Sequence, residues 1–286
     1  KWGEKMELIK DYKENNTLRA SFNRLATESF GISFEAWYQK GYWDSNYIPY
    51  SMVEGDRVVA NASANRMTLH IEGTTYNAIQ IGTVMTHPDY RRRGLAKGLL
   101  EQIIHDFKDQ TDVFFLAADE EAKSLYSSCG FVEIPSVSYS WENGLAQPKK
   151  LEHIKLTDDE VLAWKKAADH NHRRFKAGMD DHILAFYLAH GFDDKLYLYD
   201  ENTLIIADVE DEGKTVILYG IYAKGDENLE RILLSTGASK VVFEFDAAGL
   251  TIGLSKAITE KSGWMVLEHK GPIMPKPLAY PRLAQA

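Results

Sequence analysis

The sequence predicts an α/β protein made of two successive units, and three observations carry that expectation. Between Ala78 and Ala117 a β-branched run, a basic loop, an amphipathic stripe and a wholly apolar run follow one another, the order of strand, helix and strand. Two hairpin signals precede this stretch. Behind it the same order of elements returns at low fidelity. The 286 residues suffice for one large domain or two ordinary ones, with 44% hydrophobic and 26% charged residues, as in globular proteins.

The elements follow in order. Thr17 to Phe30 sets Leu18, Phe22, Leu25 and Ala26 at helical spacing, ahead of a break at Gly31. Ser33 to Lys40 suits a second helix with Ser33 as its N-cap. Tyr50 to Ala60 reads as a hairpin turning at Glu54-Gly55-Asp56, and Met67 to Val84 as another around Glu72-Gly73. Ala78 to Met85 is β-branched and apolar, and His87-Pro88 ends that strand because Pro88 has no amide proton to donate. Leu95, Leu99, Ile103 and Phe107 then recur every four residues, with Leu100 and Ile104 widening the stripe.

The junction Arg91-Arg92-Arg93-Gly94-Leu95-Ala96 suits an anion. First-turn amides have no intrahelical acceptors and sit at the positive end of the helix dipole. Gly94 permits close backbone approach, Ala96 and Gly98 keep the neighbourhood slim, and the arginines add charge. Val113 to Ala117 is apolar throughout, as a strand buried on both faces would be. Ala122 to Phe131 reads as a short helix stopped by Gly130, and Val132-Glu133-Ile134 starts another strand.

Strand, R-x-x-G-x-A, helix, strand and then A-x-x-L-Y-x-x-x-G-F, spanning Ala78 to Ile134, closely resembles the GNAT superfamily of acyl-CoA N-acyltransferases. The resemblance implies a mixed, mostly antiparallel sheet flanked by helices, followed here by a second, smaller unit of the same kind. We expect a catalytic unit over 1–145 and a degenerate one over 146–286, divided in the polar stretch Glu142 to Lys150.

The second unit repeats the first in outline. Ile217 to Tyr222 lies over Ile79 to Val84, Asn228 to Leu234 reads as the helix, and Lys240 to Phe245 as the next strand. Ala257 to Trp264 lies over Ser124 to Phe131 with one offset, Gly263 matching Gly130 and Thr259 falling on Tyr126. Ala223-Lys224-Gly225-Asp226-Glu227 replaces the arginine loop, and its carboxylates would repel phosphates. A copy with the fold but without cofactor or catalysis is the expectation.

What the resemblance implies chemically is transfer of an acyl group, usually acetyl, from acetyl-CoA to an amine. Amides near Val84 and Met85 would face the thioester oxygen as charge develops on it. The pantetheine arm would run along Val84, Met85 and Thr86, and Arg91, Arg92, Arg93, Gly94, Leu95, Ala96 and Lys97 would hold the phosphates. Tyr126 is the expected proton donor to the leaving thiolate, a phenol near pKa ~10 facing a thiol near ~8.5.

The amine must lose a proton before it attacks, and no base stands out. Many relatives carry a glutamate where this strand has Gln80, which cannot serve. Glu28, Glu35, Asp44, Asp119 and Glu120 qualify by location alone, and Ala286 is a further candidate through its carboxylate. His87 reads as a turn residue and His105 as exposed. His153, His170, His172, His182 and His190 show no metal-ligand spacing. Phe30, Phe34, Trp37, Tyr38, Tyr42, Trp43, Tyr47 and Tyr50 read mainly as core, with one or two of Trp37, Trp43 and Tyr47 lining an acceptor pocket.

A net charge of −9 argues against a general nucleic-acid binder. Cys129, the single cysteine, rules out an intramolecular disulfide and any cysteine zinc cage. No run approaches transmembrane length and no basic-then-apolar leader opens the sequence, so a cytoplasmic protein without a membrane partner is expected, with a homodimer possible. The rival readings are an acyl-CoA-binding sensor or scaffold without turnover, and an interaction module whose anion site is incidental. The acceptor stays open among aminoglycoside, polyamine, amino acid, peptide N-terminus and protein lysine.

Overall fold

The computed structural model describes residues 6–143, 151–168, 174–225, 229–250 and 253–286. Strand β1 (Met6–Lys10) leads into helices α1 (Asn16–Phe30) and α2 (Glu35–Gln39), and then into the meander β2 (Tyr47–Glu54), β3 (Arg57–Ile71) and β4 (Thr74–Thr86). Helix α3 (Leu95–Phe107) crosses to β5 (Val113–Ala117), followed by α4 (Lys123–Ser128), β6 (Val132–Glu133) and β7 (Ser136–Glu142). Next come β8 (Glu152–His153), α5 (Asp158–Ala167), β9 (Phe175–Gly178), α6 (Asp181–Tyr187), β10 (Leu196–Asp200) and β11 (Thr203–Glu210). The chain closes with β12 (Thr215–Ala223), α7 (Leu229–Thr236), β13 (Lys240–Phe243), β14 (Ser255–Thr259) and β15 (Trp264–Glu268).

Local chemistry sets several of these boundaries. The Asn15 carboxamide oxygen accepts from the amides of Thr17 and Leu18 and starts α1, and Gly31 at φ 72° stops it. Thr157 and Glu160 form a capping box at the start of α5. Helix α2 begins later than the sequence suggests. Ser33 accepts from the Glu35 amide at 3.3 Å, but the Phe34 amide is held by Asn23 Oδ1 at 2.7 Å, and the first helical residue is Glu35.

Two sheets result. The first has the order β1-β2-β3-β4-β5-β15-β6 with β9 added to β3, and the second the order β14-β7-β13-β12-β11-β10-β8. Each contains one parallel pair, β4 with β5 and β12 with β13, bridged by α3 and α7 respectively. Their closing strands are exchanged. β15, from the end of the chain, lies between β5 and β6, pairing Val266 with Phe115 and with Val132. β7, from the first half, lies between β13 and β14, pairing Ser140 with Val242 and with Ser255. A cut at residue 145 therefore does not separate the sheets.

One difference from the sequence reading concerns Ala257 to Thr259, which belong to strand β14 and not to a counterpart of α4. β14 pairs with the exchanged β7, so its backbone groups are satisfied by a strand more than a hundred residues away. Thr259 is exposed there. Gly144 to Lys150, His170, His172, Asp226 and Glu227 lie outside the described residues.

The core has two faces at the first sheet. Leu99, Leu100 and Ile103 of α3 are fully buried against Ile79, Ile81 and Phe114. Truncating such a leucine costs about 2–5 kcal/mol. On the opposite face α1 and α2 bury Phe22, Leu25, Phe34, Trp37 and Trp43. The last stretch of chain packs Met274, Leu278 and Tyr280 against Phe115, Phe175 and Val266.

Candidate active site

Strand β4 changes character halfway along. It pairs with β5 only over Ala78↔Val113, Ile79↔Phe114 and Gln80↔Phe115, and beyond Gln80 the two strands part. On its other edge the register with β3 jumps between Ser63↔Gly82 and Asn61↔Met85. Thr83 sits in that bulge at φ 50°, where a β-branched residue is strained by about 1–3 kcal/mol.

A buried relay of side chains holds the bulge. Ser51 Oγ donates to Asn61 Oδ1 at 2.9 Å, so the hydroxyl of Tyr12, 2.7 Å from Ser51, is the donor of that pair. Asn61 Nδ2 donates to Ser63 Oγ at 2.9 Å and to the Thr83 carbonyl at 2.8 Å. Ser63 Oγ donates to Tyr47 at 2.9 Å, and the Tyr47 hydroxyl donates to Thr83 Oγ1 at 3.2 Å. Every donor points toward Thr83, whose own hydroxyl proton is left for the space beyond. Five side chains are thus buried to fix one kink.

The loop after β4 ends in an open helix start. Pro88–Tyr90 makes a turn, Tyr90 is buried and donates to Glu54, and Arg93 donates to the Asp89 carbonyl at 2.6 Å while lying 4.8 Å over the Tyr90 ring. Arg91 Nε donates to the Thr86 carbonyl at 3.1 Å. Arg91, Arg92 and Arg93 are exposed. Gly94 at φ 78° caps α3 without a side-chain hydrogen bond, and an added Cβ at Gly94 or Gly98 would meet nothing within 4 Å. The first-turn residues Leu95, Ala96 and Lys97 are half-buried, with Lys97 3.8 Å from Glu101.

Tyr126 of α4 is buried in the cluster that also holds Val84, Leu95 and Leu99. The fold thus brings α4, the kinked part of β4 and the start of α3 together. The Tyr126 hydroxyl makes no hydrogen bond among the described residues. Burial, with Asp119 and Cys129 nearby, pushes the phenol up to about 12, so it is protonated at neutral pH. Met85 points the other way, into the aromatic cluster of α1 and α2.

On that aromatic side lies a cavity of about 270 Å³, with Thr83 in its wall. Trp37 and Tyr47 line it; Trp43 does not, and is buried with its indole nitrogen unpartnered among the described residues. Phe30, Phe34, Phe186 and Tyr187 complete the aromatic lining. Glu28, Glu35, Asp44, Asp119 and Glu120 do not line this cavity. Glu35 is bound to Arg19, Asn23 and Gln39, Asp44 caps Asn46, and Glu120 pairs with Lys123. His87 is a turn residue against Arg57 and Asp89, and His105 is exposed.

The histidine that does line the cavity is His182, which the sequence pattern did not single out. Its carbonyl accepts from Trp37 Nε1 at 2.8 Å, and its Nε2 is 3.2 Å from Asn65 Oδ1. Asn65 Nδ2 donates to the Gln80 carbonyl at 3.2 Å, which leaves Oδ1 as the acceptor facing the ring. His182 therefore carries its proton on Nε2, and Nδ1 is a buried lone pair without a hydrogen-bond partner among the described residues. Burial lowers its pKa despite Asp44 and Asp180 nearby, so the ring is neutral. Ala286 also lines the cavity, its amide donating to Gln80 Oε1 at 2.9 Å. A Cβ at Gly82 would lie 3.1 Å from the Ala286 carbonyl carbon, so only glycine fits there without a shift.

The second sheet parts its strands at the corresponding place, beyond Leu218↔Phe243, and jumps register at Tyr219. There the C-terminal segment crosses the gap. The Arg282 amide donates to the Glu244 carbonyl at 2.8 Å, and Leu283 reaches within 3.5 Å of a Cβ built on Gly220. Among the described residues no group of three His, Cys, Asp or Glu is placed to hold a metal, and no helix is long and apolar enough to cross a membrane.

A meander opening beside a glycine-led helix, with the crossover returning to a parallel strand, is the arrangement that the sequence resemblance implies. Residues 13–133 match the model of the acetyltransferase (GNAT) domain, and over that stretch the chain is a GNAT domain. The fold extends over both sheets in similar solved structures. A GCN5-related N-acetyltransferase from Kribbella flavida shares 16% identity at TM-score 0.61, with 92% of this chain and 71% of that one covered. Eis1 from Mycobacterium abscessus shares 13% at TM-score 0.63, covering 92% and 73%. A GCN5-related N-acetyltransferase from Anabaena variabilis shares 18% at TM-score 0.59, covering 92% and 72%. At such identities the likeness is one of fold. No curated protein sequence matches the chain.

Proposed function

We propose that this protein is an acetyl-CoA-dependent N-acetyltransferase with one working site, in the first sheet. The observation that carries the reading is the meeting, in one GNAT domain, of parted strands, an uncapped glycine-led helix start and the buried, unpartnered phenol of Tyr126. The residues present fit the cofactor. Open space at Gly94 and Gly98 beside exposed Arg91, Arg92 and Arg93 suits a pyrophosphate on the amides of Leu95, Ala96 and Lys97. The free edge of β4 at Val84, Met85 and Thr86 suits main-chain bonding to an extended arm. When bound, acetyl-CoA supplies a thioester carbonyl open to attack by an amine.

The chain's own groups do the rest. Thr83, held at the kink by Tyr47 and Asn61, offers its hydroxyl where the cavity meets the parted strands. His182, a neutral ring in the cavity wall whose buried Nδ1 has no partner among the described residues, and Ala286, whose carboxylate is in the same wall, are the candidates to take the proton from the amine. Tyr126 keeps its proton to neutral pH and beyond, and donates it toward the leaving sulfur.

Calorimetry with acetyl-CoA, together with coenzyme A release on adding amines, tests the reading. Binding at one equivalent per chain with amine-dependent release supports it. Binding without release to any amine would favour a sensor, and absence of binding would remove the cofactor assignment altogether.

A further inference from the structure

Thr83 occupies a backbone conformation that suits glycine better. Its φ of 50° strains a β-branched side chain, while Gly82 beside it lies outside the left-handed region. The kink itself needs a partner for the Thr83 carbonyl, and Asn61 Nδ2 supplies one at 2.8 Å. A second arm, through Ser63 and Tyr47, ends on the Thr83 hydroxyl. A kink held for its shape alone would not require that arm.

The direction of each bond in this buried relay is fixed. A carbonyl only accepts, so the bond to the Thr83 carbonyl decides which end of the Asn61 amide is nitrogen. Asn61 Oδ1 then accepts from Ser51, which accepts from Tyr12. Both protons of Asn61 Nδ2 are used, on the Thr83 carbonyl and on Ser63 Oγ. Ser63 therefore donates to Tyr47, and Tyr47 to Thr83 Oγ1. Burial raises the pKa of both phenols, Tyr12 and Tyr47, so both keep their protons. Thr83 receives a hydrogen bond, and its own hydroxyl proton has no acceptor among the described residues. A donor fixed in this way calls for an acceptor atom.

Place selects which one. Thr83 lies past Gln80, the last residue of β4 paired with β5, and lines the cavity. Val84 after it packs in the cluster with Tyr126 and Leu95. The step from Thr83 to Val84 thus joins the cavity to the side of the expected proton donor. Of the reactants an N-acetyltransferase brings there, an ammonium offers only N–H donors, and a neutral amine needs its lone pair for the attack. The thioester oxygen has lone pairs to spare. Resting on the acetyltransferase reading above, we propose that Thr83 is a catalytic residue whose hydroxyl donates to the acyl carbonyl oxygen, and that Tyr47, Ser63, Asn61, Ser51 and Tyr12 are positioning residues that aim it. Thr83 binds that oxygen more strongly as the carbonyl electron pair moves onto it under attack by the amine, and keeps its proton throughout.

Infrared spectroscopy of the full chain, with acetyl-CoA isotope-labelled at the carbonyl carbon, tests this without an acceptor. Thr83→Val should move the bound carbonyl band to higher wavenumber. In calorimetry it should weaken acetyl-CoA about fivefold and leave coenzyme A within about twofold, the difference that one net hydrogen bond makes. Thr83→Ser should keep the band and the affinity of the unaltered protein. Tyr47→Phe should move the band part of the way, yet no further in a Thr83→Val background, a coupling that a merely structural role would not produce. That double variant removes donor and acceptor together, and stands in should Thr83→Val, with the Tyr47 hydroxyl unpaired, fail to fold. With acetyl-CoA bound, a band unmoved by Thr83→Val, or moved as far by Thr83→Ser, would overturn the proposal and spare the transferase reading. Absence of acetyl-CoA binding to the unaltered protein would remove that reading and the proposal with it.

Discussion

Two sheets of one chain part their strands at matching places, and the contents of the two gaps differ. In the first, β4 and β5 separate after Gln80 and α3 starts at an open Gly94, with Arg91, Arg92 and Arg93 exposed in the loop before it. In the second, β12 and β13 separate after Leu218, and the C-terminal segment fastens itself across them through Arg282 and Leu283. The same topology thus provides a cleft whose wall the last residue, Ala286, joins in one copy, and a gap that the tail crosses in the other. Occupancy by the tail stands beside the missing arginines as support for the proposal of a single working site.

The comparison can be broken most sharply at the chemistry. Tyr126→Phe should lower kcat by roughly 10²-fold or more with acetyl-CoA affinity unchanged in calorimetry, whereas Thr259→Ala, at the position matched to it in sequence, should alter neither. A Tyr126→Phe protein with full turnover would remove the assigned proton donor. Next in size, Leu283→Ala empties a buried position and should cost about 2–5 kcal/mol in denaturant melts. It also asks whether the tail silences the second copy. A stoichiometry in native mass spectrometry that stays at one acetyl-CoA per chain places the silence in the missing loop chemistry, and two would place it in the tail.

The paired glycines give a finer contrast. Gly82→Ala sets a Cβ against the Ala286 main chain at 3.1 Å and should reduce kcat/KM about tenfold, a value taken as ~1.4 kcal/mol of lost transition-state stabilisation. Gly220→Ala meets side chains at ordinary contact distance, Leu283 at 3.5 Å and Tyr222 at 3.6 Å, and should leave kinetics alone. The smallest effect concerns pH. The His182 pKa is lower in the folded protein than in the unfolded chain, so below about pH 6.5 the unfolded state takes up a proton that the native state refuses. Stability is full above that pH and falls as the pH drops toward the folded value, by at most about 1.4 kcal/mol per unit from this residue. His182→Asn should flatten that part of the stability profile; an unchanged slope would show that other groups set it.

The elements of the first half were largely readable because their causes are local. Asn15 and Gly31 bound α1, the four-residue spacing of Leu95, Leu99, Ile103 and Phe107 defines α3, and a glycine between arginines and a helix marks the expected anion site within a few residues. Tyr126 could be singled out by its place in a short motif, and the structure puts it in the cluster with Val84 and Leu95. Cavity lining could be narrowed to one or two of Trp37, Trp43 and Tyr47, but nothing in the sequence set Trp43, which stays out of the wall, apart from the other two.

What the sequence alone determined was the α/β pattern, the basic, glycine-led loop and the absence of arginines from its counterpart in the second half. Tertiary structure alone decided the exchange of β7 and β15, the strand state of Ala257 to Thr259, the crossing of the second gap by the C-terminal segment, and the arrival of His182 in the same cavity wall as Thr83. Helix caps, turns and amphipathic stripes arise from neighbours along the chain and leave a periodic signature. Strand partners and cavity walls are chosen among residues a hundred or more positions apart, where backbone hydrogen bonding accepts any strand and only packing of the whole decides which one.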